Sequence, residues 1–213
     1  MKKQAGFTLI ELAIVLVIIG LLLGGVLRGQ ELINSARVKS LTRDFQNIQV
    51  YLYTYQDRFH ALPGDDRDPV NHVGGTLATT SGPVANGQIG GEWDSAVATA
   101  ESYLFWQHVR LAGIAPGSTA TGTPEYLPVN TNGARMGIQT LAGMTEITSF
   151  TNGSFAICSD GILGRDALQI DTTLDDGNTG TGSVQAVVSG TPGDGVAPDD
   201  IDNTAQYTVC MAI

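Results

Sequence analysis

The sequence predicts an α+β protein in which one long N-terminal helix packs on an antiparallel β-sheet. Three observations support this fold class. An apolar run with only two polar residues covers residues 7–27, apolar side chains then recur at helical spacing up to residue 59, and five short strand-like runs follow residue 136. The helical and strand periods are segregated along the chain, which is typical of α+β proteins.

The apolar run, Phe7–Leu27, is long enough to cross a membrane as a helix. Its only polar side chains are Thr8 and Glu11, and a helix of about 21 residues spans about 31 Å, the thickness of a bilayer core. Lys2 and Lys3 precede the run, and basic residues are retained on the cytoplasmic side of a membrane. We therefore expect the rest of the chain on the opposite side.

The helical pattern continues beyond the membrane-spanning segment, over residues 28–60. Apolar side chains recur every three or four residues and form one stripe, which is expected to pack in a core. The stripe consists of Val38, Leu41, Phe45, Ile48, Leu52, Tyr55 and Phe59. Pro63 and Gly64 should end the helix, because proline lacks an amide hydrogen and disfavours helical geometry in the residue before it.

Residues 61–213 are predicted to form a globular head. Residues 63–91 are rich in Gly, Thr, Ser and Asn, which indicates a loop, and Trp93–Ala112 has the spacing of a second helix. The strand-like runs cover residues 137–141, 154–158, 167–170, 183–188 and 206–213. We expect an antiparallel sheet of four or five strands, packed on the second half of the long helix.

The head is strongly acidic and lacks common catalytic motifs. Residues 1–60 carry seven of the 11 Lys and Arg and four of the 21 acidic residues, which leaves four basic and 17 acidic residues in the head. Such a surface repels a phosphate backbone, so no nucleic-acid partner is expected. No H-E-x-x-H, paired C-x-x-C, P-loop or G-x-S-x-G element is present. The sequence therefore predicts a protein that is not an enzyme.

The chain has two cysteines, Cys158 and Cys210. In an exported domain an even count favours a disulfide, which would close a loop of about 50 residues and contribute on the order of 4 kcal/mol in the chain-entropy model. The alternative is two unpaired buried thiols.

Aspartates are concentrated in the Gly-rich C-terminal region. Carboxylate oxygens on flexible loops suit calcium, which takes six to eight oxygen ligands. The candidate ligands are Asp171, Asp175, Asp176, Asp199, Asp200 and Asp202. Their spacing fits no EF-hand, and a solvated acidic loop without a cation is the alternative interpretation.

The residues around the start of the apolar run carry a more specific signal. Lys2-Lys3-Gln4-Ala5-Gly6 is a short basic leader ending in Gly, and GFTLIE follows at residues 6–11. This segment resembles the prepilin signal of type IV pilins and type II secretion pseudopilins, residue for residue over GFTLIE. The resemblance implies a pilin-like fold. It also implies that prepilin peptidase cuts between Gly6 and Phe7, removes residues 1–6 as a leader peptide, and N-methylates Phe7.

The resemblance also assigns a role to Glu11. Cleavage after Gly6 would create an α-amino group on Phe7, which is mostly cationic at neutral pH. Buried charges of opposite sign are tolerated when they pair, and removal of one strands the other. The resemblance implies that Glu11 pairs with the Phe7 amine of a neighbouring subunit and sets the register of a filament.

Two further properties of pilins bear on this sequence. Many pilins carry a proline at the position that Arg28 occupies here, so this chain departs from that pattern. In many pilins a C-terminal disulfide closes an exposed variable loop, which would here cover residues 159–209 in the C-terminal region of the head.

The resemblance implies a structural subunit of a type IV pilus or pilus-like filament, and a minor pilin, a secretion pseudopilin and a competence pilin remain open. Its partners would be other pilin subunits, prepilin peptidase, the inner-membrane assembly platform and, before assembly, membrane lipid. It would lie in the inner membrane with a periplasmic head, and afterwards in a periplasmic or cell-surface filament. The alternative is a signal-anchored periplasmic binding protein or hydrolase, with an uncut N-terminus.

Overall fold

The computed structural model describes residues 9–213, so the predicted cleavage and methylation residues, Gly6 and Phe7, lie outside the described part. The helices are α1 (Leu9–Phe59), α2 (Pro69–Val73), α3 (Glu101–Leu111), α4 (Gly164–Leu174) and a 3₁₀ turn at Pro198–Asp200. The strands are β1 (Met136–Thr140), β2 (Phe155–Leu163), β3 (Val184–Val188) and β4 (Gln206–Ala212). This is the α+β, pilin-like architecture predicted from the sequence.

The chain divides into two compact units, residues 1–37 and residues 38–213. The first unit consists, where it is described, of α1 alone. None of residues 9–37 is buried, and three of its leucines, Leu9, Leu21 and Leu32, are more than two-thirds exposed. This part of the helix therefore carries apolar surface that the described residues do not cover.

The second unit contains the core, and the predicted stripe of α1 forms one side of it. Every stripe residue from Val38 to Tyr55 is at most 3% exposed, and Phe59 packs against the edge of the same cluster. Aromatic and aliphatic side chains of α3, such as Leu104 and Phe105, and of the sheet, such as Ile138, complete this cluster. The predicted stripe of α1 therefore packs in the core from Val38 onwards.

The sheet has the strand order β1-β2-β4-β3, and all neighbouring strands are antiparallel. Successive side chains on a strand point to opposite sides, and a hydrophobic cluster covers each face of this sheet. Ile157 and Val209 belong to the main core, whereas Cys158 and Cys210 belong to a smaller cluster with Trp93 on the other face. The C-terminal strand, β4, therefore lies inside the sheet rather than at its edge.

The disulfide between Cys158 and Cys210 is present, as predicted. The two cysteines lie opposite each other on β2 and β4, and both are fully buried. The expectation that residues 159–209 form an exposed loop is wrong. They include the end of β2, all of α4 and all of β3, and they place Ile162 and Ala186 in the core.

The predicted strand at residues 167–170 is wrong, because these residues lie in α4. Ala167 and Ile170 are both buried. Arg165, which precedes them, and Gln169, which lies between them, are exposed. A spacing of three residues between buried positions is helical. A run of four residues was too short to distinguish this spacing from the alternation of a strand.

The second predicted helix starts later than expected, at Glu101 instead of Trp93. Trp93 packs against the sheet, where its backbone N–H donates to Gln139 Oε1 at 2.7 Å. Residues 94–100 form turns and irregular backbone, and the Thr99 carbonyl accepts a hydrogen bond from the Thr79 N–H. Contacts with the sheet and with the preceding loop therefore override the helical preference of this alanine-rich segment.

The close contact between Trp93 and β1 leads to a prediction about Gly137. A Cβ atom at this position would overlap the backbone oxygen of Trp93. We expect Gly137→Ala to lower the free energy of unfolding by about 1 to 3 kcal/mol, because backbone must move to admit the methyl group. Urea denaturation of the full chain in detergent measures this change.

Gly193→Ala is the matched control, because a Cβ atom there would meet nothing within 4 Å. Its stability should stay within about 0.5 kcal/mol of the wild type. Equal effects of the two substitutions would contradict the packing of Trp93 on β1.

Candidate functional site

The first candidate site is the exposed apolar surface of α1. By length and composition this helix is able to cross a membrane, although a signal sequence would pass the same test. Glu11 lies in the first described turn and is exposed between Ile10 and Leu12, which are exposed apolar residues. An ionised carboxylate at such a position is costly in lipid unless it finds a partner of opposite charge. The surface is thus suited to lipid or to packing with other helices.

Apart from this apolar surface, the structure contains a group of polar side chains that hold the loop after α1 in place. Asp66, which is buried, accepts hydrogen bonds from Tyr55 Oη at 2.7 Å, His72 Nδ1 at 2.7 Å and the Asp68 N–H at 2.8 Å. Burial alone would raise the pKa of Asp66, but the hydrogen bonds from His72 and Tyr55 outweigh it and hold the pKa below its usual value. The carboxylate thus joins α1 to α2.

Asp65 and His108 anchor the same loop at other points. The Asp65 carboxylate accepts hydrogen bonds from the backbone N–H groups of Ala85, Asn86 and Gly87. His108 accepts from the Gly64 N–H through Nδ1 at 3.0 Å, and its Nε2 lies 2.9 Å from the Thr76 carbonyl oxygen. Burial lowers the pKa of His108, consistent with a neutral ring that accepts at one nitrogen and donates at the other. These contacts are structural.

One surface cleft brings together His60, Asp65 and Ser154, which are residue types of hydrolytic triads. No hydrogen bond joins these three side chains, and the Asp65 carboxylate is engaged by backbone amides instead. Activation of a serine nucleophile requires a hydrogen-bonded chain from the hydroxyl through the base to the carboxylate. The cleft lacks this arrangement.

The predicted calcium ligands separate into two sets. The carboxylate oxygens of Asp171, Asp175 and Asp176 lie within 4.8 Å of one another. Asp199, Asp200 and Asp202 are not part of this group. The backbone oxygen of Asp202 lies next to Gly164, at the opposite end of α4 from Asp171. Asp171 follows Gly164 by seven helical residues, which corresponds to about 10 Å along the helix axis. The structure thus assembles half of the predicted set.

Glu101 was not singled out by its sequence position, yet it is fully buried at the start of α3. Its Oε2 accepts a hydrogen bond from the Gly90 N–H at 2.7 Å, and its Oε1 has no hydrogen-bond partner. Burial, with a smaller contribution from the negative charge of Asp65, raises the pKa of Glu101 to about 7 against the opposing effect of the Gly90 hydrogen bond. A charged residue at a helix start ordinarily indicates an exposed, dipole-stabilising carboxylate, so no sequence signal pointed to burial.

Comparison with known proteins gives a family match that overlaps the exposed part of α1. The architecture is that of a pilin-like protein, with a long apolar helix followed by a four-stranded antiparallel sheet. Residues 1–27 match the family model described as the prokaryotic N-terminal methylation motif, which is the prepilin-type cleavage and methylation segment of type IV pilins and pseudopilins. No curated protein matches the chain significantly. The motif fits a membrane-anchored precursor that assembles with other pilin subunits after processing by prepilin peptidase.

The burial of Glu101 predicts a pH-dependent stability. Its pKa is about 7 in the folded protein against an ordinary 4.5, so the folded state holds the proton more tightly than the unfolded state. The stability that this protonated group contributes is fully present below pH 4.5 and is lost as the pH rises through 7. We expect Glu101→Gln, which cannot ionise, to escape this loss.

The measurement is the free energy of unfolding of the wild type and Glu101→Gln between pH 4.5 and 8. The difference should shift in favour of the variant as the pH rises, by up to about 3 kcal/mol, since one pKa unit corresponds to about 1.4 kcal/mol. Parallel curves over this range would show that Glu101 is not held neutral.

Proposed function

We propose that the chain is a structural subunit of a type IV pilus or pilus-like filament, assembled through its N-terminal helix. The observation that carries this proposal is the coincidence of a prepilin-type segment at residues 1–27 with an α1 surface that is apolar and exposed over residues 9–27. Such a helix leaves lipid only if another apolar environment keeps its surface out of water. The core of a helical filament, formed by the packed helices of many subunits, is such an environment.

Processing begins with cleavage by prepilin peptidase between Gly6 and Phe7. This removes the basic leader, Lys2 and Lys3 included, and leaves a new α-amino group on Phe7, which the same enzyme methylates. The free amine is mostly cationic at neutral pH, and methylation need not remove this charge. The mature subunit therefore begins with a cation at the end of its apolar helix.

Glu11 is the partner of this cation in the neighbouring subunit. It is exposed in the first described turn of α1 and is surrounded by apolar side chains. Assembly withdraws the carboxylate from water, and a subunit offset that leaves it without a cation is penalised by several kcal/mol. The pair thus selects one axial register, which is the role of an ion pair buried in an apolar interface.

The charge and size of the head, together with the residue at position 28, indicate which kind of filament subunit the chain is. Its excess of acidic residues, 17 against four basic ones in residues 61–213, weighs against direct DNA uptake. Arg28 in place of the usual proline, together with a large head, favours a minor pilin or a pseudopilin over a major pilus subunit. The competing function is a signal-anchored periplasmic binding protein or hydrolase, in which the N-terminus is uncut and Glu11 is dispensable.

Mass spectrometry of the protein extracted from membranes tests the processing. We expect the mature chain to begin at Phe7, with or without one added methyl group, because the peptidase cuts after Gly6. The same protein from cells without prepilin peptidase should retain residues 1–6. A chain that keeps Met1 in cells with the peptidase, or one that begins beyond Gly25, would contradict the proposal.

Glu11→Ala tests the assembly step. Cleavage and membrane insertion should be unchanged, whereas the amount of subunit in sheared filaments should fall at least about tenfold, because loss of one member of a buried ion pair costs about 3 to 5 kcal/mol. Quantitative immunoblotting of filament and membrane fractions measures both quantities.

Glu31→Ala is the control, because Glu31 is exposed on the same helix beyond the apolar run. It should assemble as the wild type does. Normal filaments from Glu11→Ala, or an equal loss from both variants, would refute the pairing.

A further inference from the structure

Three asparagine–glycine pairs in the head differ in how the structure holds them. In such a pair the glycine nitrogen can attack the side-chain amide carbon of the asparagine, because glycine has no Cβ atom that obstructs the approach. The attack closes a five-membered ring and converts the asparagine into an acidic residue. The pairs are Asn86-Gly87, Asn132-Gly133 and Asn152-Gly153, and all six residues are exposed. Exposure alone therefore does not distinguish them.

Hydrogen bonds restrain the attacking nitrogen in two of the pairs. The Gly87 N–H donates to the Asp65 carboxylate at 2.8 Å, and the Gly133 N–H donates to the Asn130 carbonyl oxygen at 2.9 Å. The nitrogen must leave its hydrogen bond before it attacks, and a bond of ordinary strength lowers the fraction of free amide about two- to tenfold. A bond to a charged carboxylate lowers it further. Both pairs are therefore protected in the folded head.

The third pair, Asn152-Gly153, lacks this protection. Within the described residues the Gly153 N–H donates to no acceptor. The Asn152 side chain makes one hydrogen bond, from Nδ2 to the hydroxyl of the preceding residue, Thr151, at 3.2 Å. The attacking nitrogen is thus free, and the attacked amide is held by a single long hydrogen bond to its neighbour.

We propose that Asn152 is a site of spontaneous deamidation. The Gly153 nitrogen loses its proton and forms a bond to Cγ of Asn152, while the bond from Cγ to Nδ2 breaks and ammonia leaves with that proton. One water molecule then opens the succinimide ring at either carbonyl carbon, which leaves an aspartate or an isoaspartate at position 152. This reaction needs only water, and the inference is independent of the role of the chain in a filament.

The modification changes the surface at the start of β2. Each conversion adds one negative charge to a chain whose formal net charge is already −10. Isoaspartate also lengthens the backbone by one methylene group, shortly before the Ser154 N–H that donates to the Ile213 carbonyl oxygen at 2.7 Å. The exposed surface beside Ile213 therefore becomes more acidic as the molecule ages.

The test incubates the full-length protein in detergent micelles at pH 8.5 and 37 °C, followed by digestion at low pH and mass spectrometry of the peptides. The peptide with Asn152 should gain about 1 Da, because oxygen replaces an N–H group, and should separate into two isomers. The gain should be at least about twofold faster than at Asn132, whose glycine bonds a carbonyl, and about tenfold faster than at Asn86, whose glycine bonds a carboxylate.

Unfolding in urea is the first control, because it removes the hydrogen bonds and should bring the three pairs to similar rates. Asn152→Gln is the second, since glutamine would have to close a less favourable six-membered ring. The block is placed at Asn152 because Gly153 has a φ of +111°, which favours glycine. This variant should lose the fast mass gain and the acidic band that the aged wild type shows on isoelectric focusing.

Three results would overturn the proposal. The first is an Asn152 that stays intact during the incubation, and the second is an equal rate at all three pairs in the folded protein. The third is a preference for Asn152 that persists unchanged in urea, because the local sequence rather than the hydrogen bonds of the fold would then set the rate.

Discussion

The burial of one stripe of α1 is the constraint on which the head depends. Leu41, Phe45, Ile48 and Leu52 are at most 1% exposed, and complete burial of such a side chain contributes about 1.5 to 3 kcal/mol. α3 and the sheet pack on this stripe and form a single core with it. Before Val38 no described residue of the same helix is buried. One helix thus buries its apolar surface within the head in one half and exposes it over the described part of the other half.

Local hydrogen bonds explain how residues 61–135 pack with little regular structure. Asp65 and Asp66 accept hydrogen bonds from backbone amides, and Arg110, which is 8% exposed, donates to the carbonyl oxygens of Pro116, Ser118 and Tyr126. Such side chains supply the partners that irregular backbone otherwise finds in water. Glu101 and Asp171 are the contrasting cases, because burial leaves carboxylate oxygens of each without a partner.

The sheet topology places the C-terminal strand, β4, in the interior of the sheet. β4 pairs with both β2 and β3, and the disulfide joins β4 to β2 across directly opposed residues. Because Cys158 and Cys210 are buried beneath Trp93, the bond belongs to the packed sheet rather than to a surface loop.

The sequence by itself determined the features that depend on local pattern. The apolar run, the stripe ending at Phe59, four strands and the prepilin-type segment were all readable, because hydrophobic period and short motifs act over neighbouring residues. Tertiary structure decided whether residues 167–170 were helix or strand, where α3 begins, and that the disulfide lies inside the sheet. It also decided that Asp171 joins Asp175 and Asp176 but not Asp202. These outcomes depend on contacts between residues distant in the chain, such as Trp93 with Gly137, and on burial, which composition and spacing do not encode.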